Sequence, residues 1–136
     1  MNADGEQTRV MNEWLRYSEG DLFSARALAK SSDLPARNAC YLAQQCAEKA
    51  LKAALIAAEV EVMRTHDLDA LVQRLPKQLQ NGFVIFDLSW LSEWCVEARY
   101  PGDWPEANTT DATQAITIAE NVFALVKSLI DRRPFS

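Results

Sequence analysis

Glycine and proline are scarce in this chain, with 4 and 5 among 136 residues, which excludes a linker-rich or collagen-like protein. Histidine occurs once, as His66, and cysteine three times, as Cys40, Cys46 and Cys95, without a Cys-x-x-Cys pair. That number and spacing make neither a disulfide framework nor a zinc site. On a helix Cys40 and Cys46 lie roughly 120° apart around the axis, too far to bridge. All three read as small core hydrophobes. A nucleophilic cysteine would also need a base, and nothing in the sequence ties His66 to any of them. No apolar run approaches the ~20 residues that span a bilayer. The opening residues, Met1-Asn2-Ala3-Asp4-Gly5-Glu6, are polar and acidic, so a signal peptide is not expected and a cytoplasmic location is the default expectation.

A basic excess is missing too. The formal net charge is −5 and the pI about 4.9. General nucleic-acid binders draw affinity from displacing counterions at phosphates, so general DNA binding is not expected. Contact with RNA or a nucleotide would have to be local, in a pocket that gathers a few cations. No Gly-x-Gly or Gly-Lys-Ser occurs, so there is no glycine-rich phosphate loop. One histidine and a glutamate-poor core argue against a di-iron bundle, and neither metal nor cofactor is expected. A Ser-His-Asp triad has no positive support.

What is present is an ordinary globular composition, 49% apolar and 24% charged. The length suits one domain, 1–136, with about residues 1–9 as a flexible N-terminus. A chain of this size buries about 68–70% of its unfolded surface and folds without a staple.

Periodicity is helical throughout. Met11, Trp14, Leu15, Ser18, Leu22, Ala25 and Ala29 mark one face of a first helix, from about residue 10 to Lys30. Gly20 lies inside it and costs up to ~1 kcal/mol relative to alanine, so close approach of a neighbour or ligand is expected there. Pro35 suits the first turn of a second helix. In that helix Ala39, Leu42, Ala43, Cys46, Ala47, Ala50, Leu51, Ala54, Leu55 and Ala58 form an unbroken stripe whose alanines allow close packing. Thr65 is expected to cap a short third helix bearing Leu68, Leu71, Val72 and Leu75, with Asp67 in its first turn. Phe83-Val84-Ile85-Phe86 reads as a buried connector. Asp87 can cap a fourth helix through Leu88, Leu91, Cys95 and Ala98, stopped at Tyr100-Pro101-Gly102. A fifth helix starts at Thr109-Thr110-Asp111, carries Ala112 to Leu129, and ends near Arg132, Arg133 and Pro134. The fold class is therefore all-α: an up-and-down four-helix bundle with one additional short helix.

Two features could carry chemistry. One is the polar track Gln45, Glu48, Lys49 and Lys52 on the second helix, where Glu48 and Lys52 are an i, i+4 pair in the favourable order. On pattern alone it reads as a solvated face with ion pairs. The other is Arg99-Tyr100-Pro101-Gly102-Asp103-Trp104, which on pattern alone reads as a C-cap cation with a tryptophan staple. His66 reads as fixing the start of the third helix rather than acting as a base.

Together these segments resemble the HEPN domain family. The resemblance covers nearly the whole chain: Trp14, Asp21-Leu22, Ala25 and Leu28; Gln44-Gln45-Cys46-Ala47-Glu48-Lys49-Ala50-Leu51-Lys52-Ala53, the most specific piece; Thr65-His66-Asp67-Leu68; and Leu91 to Pro101. It implies a helical bundle that commonly dimerises. Many members are metal-independent ribonuclease toxins, with a minimal nucleotidyltransferase as antitoxin. Those ribonucleases use an arginine followed, four to six residues on, by a histidine. Arg99 matches the arginine, but Trp104, Pro105 and Glu106 stand where the histidine should be. The imidazole would move a proton to or from the ribose, and its loss removes a typical 10²–10⁴-fold contribution. Glu106, with an exposed carboxylate pKa near 4.3, is a poor substitute acid at neutral pH.

The resemblance therefore implies a non-catalytic, homodimeric domain that binds a nucleotide, an RNA end or a nucleotidyltransferase, with no membrane association. Arg99 would hold phosphate, Tyr100 or Trp104 would stack on a base, and Lys49 and Lys52 would add charge beside Gln45 and Glu48. Two alternatives are a degenerate ribonuclease that uses Arg99 with an unidentified base, and an interaction module that docks a partner through exposed Trp90, Trp94 and Trp104.

Overall fold

A computed structural model describes residues 3–95, 100–102 and 105–135, with side chains described from Gly5. Three long helices dominate it: α1 (Ala3–Ala29), α2 (Ala36–Ala57) and, at the other end of the chain, α6 (Thr109–Asp131). Between α2 and α6 run α3 (Leu68–Gln73), α4 (Lys77–Gln80), a 3₁₀ turn (Asn81–Phe83) and α5 (Leu88–Ser92). No strand occurs among the described residues. The fold is all-α, as the periodicity requires.

Helix α2 lies at the centre, packed on α1 along one side and on α6 along another, while α1 and α6 touch more sparingly. Thirteen of its 22 residues are buried, so it is a core helix rather than a surface one. Alanine makes this possible. Ala43, Ala47 and Ala50 of α2 are fully buried, as are Ala25 of α1 and Ala115 and Ala119 of α6, and such small side chains let helix axes approach closely. Ser18 ties α1 to α2 at this contact: its hydroxyl donates to the Cys46 carbonyl at 2.7 Å.

Local signals account for the ends. Asn108 and Asp111 form a capping box at α6: Asn108 accepts from the Asp111 N–H at 2.8 Å, and Asp111 accepts from the Asn108 N–H at 3.0 Å. At its other end the Arg132 and Arg133 side chains donate to the carbonyls of Ser128 and Ile130 in the last turn, and the Ile130 carbonyl also accepts the Arg133 N–H. Asp87 caps α5 through the Trp90 N–H.

Several expectations are corrected. Helix α1 begins at Ala3, so the stretch expected to be flexible is helical from that residue. Asp67, not Thr65, caps α3, accepting from the Ala70 N–H, while Thr65 accepts from the Asp67 N–H one step earlier. The helix expected from Asp87 spans only Leu88–Ser92, because the chain turns at Glu93-Trp94. Val96 to Arg99 lie outside the described residues. In the connector, Phe83 is buried but Val84 and Ile85 are 77% and 81% exposed. Four apolar residues cannot all turn inward on one short turn. Trp94 is buried and packs edge-on against partly buried Trp90, with centroids 5.8 Å apart, so neither is an exposed docking residue.

Gly20 is exposed, and a Cβ there would meet nothing within 4 Å, so no close approach explains it. Gly20→Ala should therefore stabilise the protein by about 0.5–1 kcal/mol, through helix propensity and a less flexible unfolded chain. Thermal melting should show a rise in Tm; a fall would mean that this position has a packing role.

Candidate functional site

Residues 44, 48 and 52 follow one another at four-residue steps and share one face of α2. On a solvated helix their side chains would point into water. Here Gln44 is fully buried, and Glu48 and Lys52 are 4% and 8% exposed. The solvated-face reading of the polar track is therefore overturned for Glu48 and Lys52. Two elements distant in sequence pack on them: Trp14 of α1 and the loop that leads into α3.

Glu48 is the hub. Its Oε2 accepts from Lys52 Nζ at 3.0 Å, and its Oε1 lies 2.9 Å from His66 Nδ1. Gln44 Nε2 also reaches Oε1, at 3.3 Å, and donates to the His66 carbonyl at 3.0 Å. Gln45 Nε2 donates to Gln44 Oε1 at 2.7 Å. The Lys52 ammonium lies 5.4 Å from the Trp14 ring centroid, a cation–π distance. Burial opposes the charge on Glu48, but hydrogen bonds from His66 and Lys52, the Lys52 charge and Gln44 outweigh it. They hold the carboxyl below its ordinary value.

His66 is the exposed member, with 42% of its side chain accessible against 5% for Glu48. The sequence pattern marks Glu48, Lys52 and Gln45, reads His66 as a helix-start residue and assigns Gln44 no role. The available signal was the run Gln44-x-x-x-Glu48-x-x-x-Lys52, whose members can satisfy one another at i, i+4 and so need no water. Nothing in the sequence linked that run to a loop beyond the end of α2.

The other candidates go elsewhere. Lys49 forms an ion pair with Asp21 of α1 at 2.6 Å, both partners largely covered, which ties the helices together. Tyr100 is 72% exposed. Arg99 and Trp104 lie outside the described residues. Glu106 is exposed and paired with Arg37 at 2.9 Å. All three cysteines are buried reduced thiols, and burial pushes Cys46 up to about 11 against the easing hydrogen bond from Ser18, so it is not a nucleophile at neutral pH. Among the described residues no group of three or more His, Cys, Asp or Glu side chains could hold a metal ion. No helix among them is long and apolar enough to cross a membrane.

The family model for the HEPN domain matches residues 11–129. The chain belongs to the HEPN domain family. A relative from Methanocaldococcus jannaschii, named "Putative toxin MJ1304", is 26% identical over 149 residues, covering 98% of this chain and 96% of its own. Two crystal structures share the HEPN fold seen here. ST0689, an archaeal HEPN homologue, superposes with a TM-score of 0.69 at 28% identity, covering 88% of this chain and 97% of its own. TT1696 from Thermus thermophilus gives 0.68 at 25% identity, covering 87% and 96%. The matched region contains the whole Gln44–Glu48–Lys52–His66 cluster.

Breaking the buried pair from one side should be costly. Lys52→Met removes the ammonium that pairs with the buried carboxylate and should cost about 3 kcal/mol. The double variant Glu48→Leu/Lys52→Met removes both charges and should recover much of that loss, read by urea denaturation. The pH dependence follows from the lowered Glu48 pKa. The folded state prefers the carboxylate, so its contribution is complete above about pH 4.5 and is lost as pH falls through the lower folded value. Glu48→Gln should therefore show a shallower loss of stability on acidification than the parent; an equally steep loss would place the acid sensitivity elsewhere.

Proposed function

We propose that this HEPN domain is the toxin-like half of a two-component system, acting as a homodimer with a minimal nucleotidyltransferase as partner, and that it binds a nucleotide or an RNA phosphate. Full-length likeness to a relative named as a toxin supports the first part. The observation that carries the ligand reading is the cluster itself: a buried carboxylate, an ammonium, two amides and a part-exposed imidazole meet on the central helix. Most buried polar groups in a protein of this size are backbone. A side-chain network of this extent in the core is an expensive feature that also ends at the surface.

With a net charge of −5, the domain does not attract polyanions at long range. Recognition must come from a few placed groups. Lys49 and Lys52 are already engaged with Asp21 and Glu48, so Arg99 is the cation assigned to phosphate, and the exposed Tyr100 ring beside it in sequence is assigned to stacking on a base. A second reading, a weak endoribonuclease, gains from one observation: an imidazole held by a carboxylate, which the segment after Arg99 does not supply.

Titration calorimetry with ATP and with a short single-stranded RNA tests the ligand reading. Binding is expected to at least one of them. Arg99→Ala should weaken it tenfold or more, and Tyr100→Ala should cost about 1–3 kcal/mol if the ring stacks on a base. No binding to either, or affinity unchanged by Arg99→Ala, removes this reading.

A further inference from the structure

We propose that a groove between the start of α1 and the end of α2 docks a short segment of a partner protein in which lysine or arginine flanks apolar side chains. None of Gln44, Glu48, Lys52 or His66 lines this groove, so the proposal stands apart from the ligand reading above.

The groove follows from how α2 ends. Trp14 meets Lys52 and Ser18 meets Cys46, so α1 and α2 run antiparallel and the start of one lies beside the end of the other. Helix α2 closes in a Schellman turn: the Val60 N–H donates to the Leu55 carbonyl and the Glu59 N–H to the Ile56 carbonyl, both at 2.9 Å. The turn brings Val60 and Val62 to the α1 side. With Ile56 of α2 and Val10 of α1 they line a groove of about 320 Å³. These four apolar residues are half-buried, whereas Glu6, Glu59 and Glu61 along the same groove are exposed. The groove therefore has an apolar floor and an acidic rim. Val10 also borders a second hollow of about 260 Å³ beside Trp14 and Tyr17, so the apolar strip runs on for about two helical turns along α1. An elongated strip of this kind suits a stretch of polypeptide.

Charge decides which stretch. Arg9 already holds Glu6 at 2.6 Å, and Arg16 holds Glu13 at 2.8 Å. Glu59 and Glu61 meet no cation within ion-pair distance among the described residues. Arg133 shares the cleft on the other side of Glu59 but turns its Nε to the Ile130 carbonyl at 3.0 Å. The last turn of α2 carries no basic residue, although a helix C-terminus favours cations. The uncompensated charge at this groove is thus negative. Phosphate of RNA or of an anionic lipid would be repelled. A second copy meeting the first through this face would set the same carboxylates against each other. A segment with apolar side chains on the floor and lysine or arginine ends at the rim satisfies both parts, since the stems of those residues also cover apolar surface.

Glu59 adds a separate indication. Its φ of 60° lies in the left-handed region, where glycine or asparagine is the usual occupant of this turn. Glutamate is strained there, and backbone strain concentrates at working surfaces. Its carboxylate is the return for that strain, because it stands at the mouth of the groove.

The test uses the full chain and three fluorescein-labelled octapeptides: leucine alternating with arginine, the same with aspartate in place of arginine, and the same with serine in place of leucine. Fluorescence anisotropy should show saturable binding of the first alone, weakened about tenfold between low salt and ~0.5 M. Methyl NMR shifts should fall on Val10, Ile56, Val60 and Val62. Glu59→Gly should raise Tm, because the strain is relieved, and yet weaken binding about threefold. Glu59→Gly/Glu61→Gln should weaken it about tenfold. A stabler protein that binds less well is an outcome a purely structural role for Glu59 does not produce. No saturable binding of the leucine–arginine peptide, equal binding of the aspartate peptide, or affinity unchanged in the double variant would overturn the proposal. So would methyl shifts that follow protein concentration with no peptide added, which would assign the face to a second copy.

Discussion

A carboxylate buried in the middle of the central helix sets the terms for much of this domain. Glu48 could not remain ionised at 4% exposure without donors on both oxygens. Lys52 comes from the same helix one turn on, but His66 comes from a loop eighteen residues away in sequence. Satisfying Glu48 therefore requires that loop to fold back over α2. The loop then delivers α3, whose Leu68 and Leu71 are fully buried, and the start of α3 is in turn held by Ser92 of α5. One electrostatic requirement thus organises the side of the bundle where short helices replace a long one.

The remaining architecture follows from small side chains. Alanine and serine at the α1–α2 and α2–α6 contacts let three long helices pack closely, and the core they form is continuous with that of α3 and α5. Because α2 is covered on several sides, its polar face is not an escape to water. Each polar group on it had to find a protein partner. Lys49 found Asp21, Lys52 found Glu48 and the Trp14 ring, and Gln44 found Glu48 and the His66 carbonyl. Such a set fixes helix register more tightly than apolar packing does, since a one-residue slip would leave charges buried and unpaired.

Much of this was legible beforehand. The three long helices, the short α3, the buried cysteines and the family could all be read from spacing and from the Gln-Gln-Cys-Ala-Glu-Lys segment. Helix ends were read less well. Thr65 and Asp67 are both good caps by composition, and only the backbone path decides that Asp67 takes that role. Trp90 and Trp94 looked available for docking because periodicity cannot separate a tryptophan that covers a core from one that faces solvent. A glycine inside a helix suggests a close neighbour, whereas the flank at Gly20 is open.

The amino-acid order alone determined the helices and the family, because those depend on local repeats of three and four residues and on an ordered set of short segments. It also placed Gln44, Glu48 and Lys52 on one face, since four-residue steps do so on any α-helix. Tertiary structure alone decided that this face is buried, that His66 is the second partner of Glu48, and that Lys49 belongs to a different ion pair. Those outcomes depend on which distant segment comes to rest against the helix. Packing between elements settles that, and periodicity within one element carries no information about it.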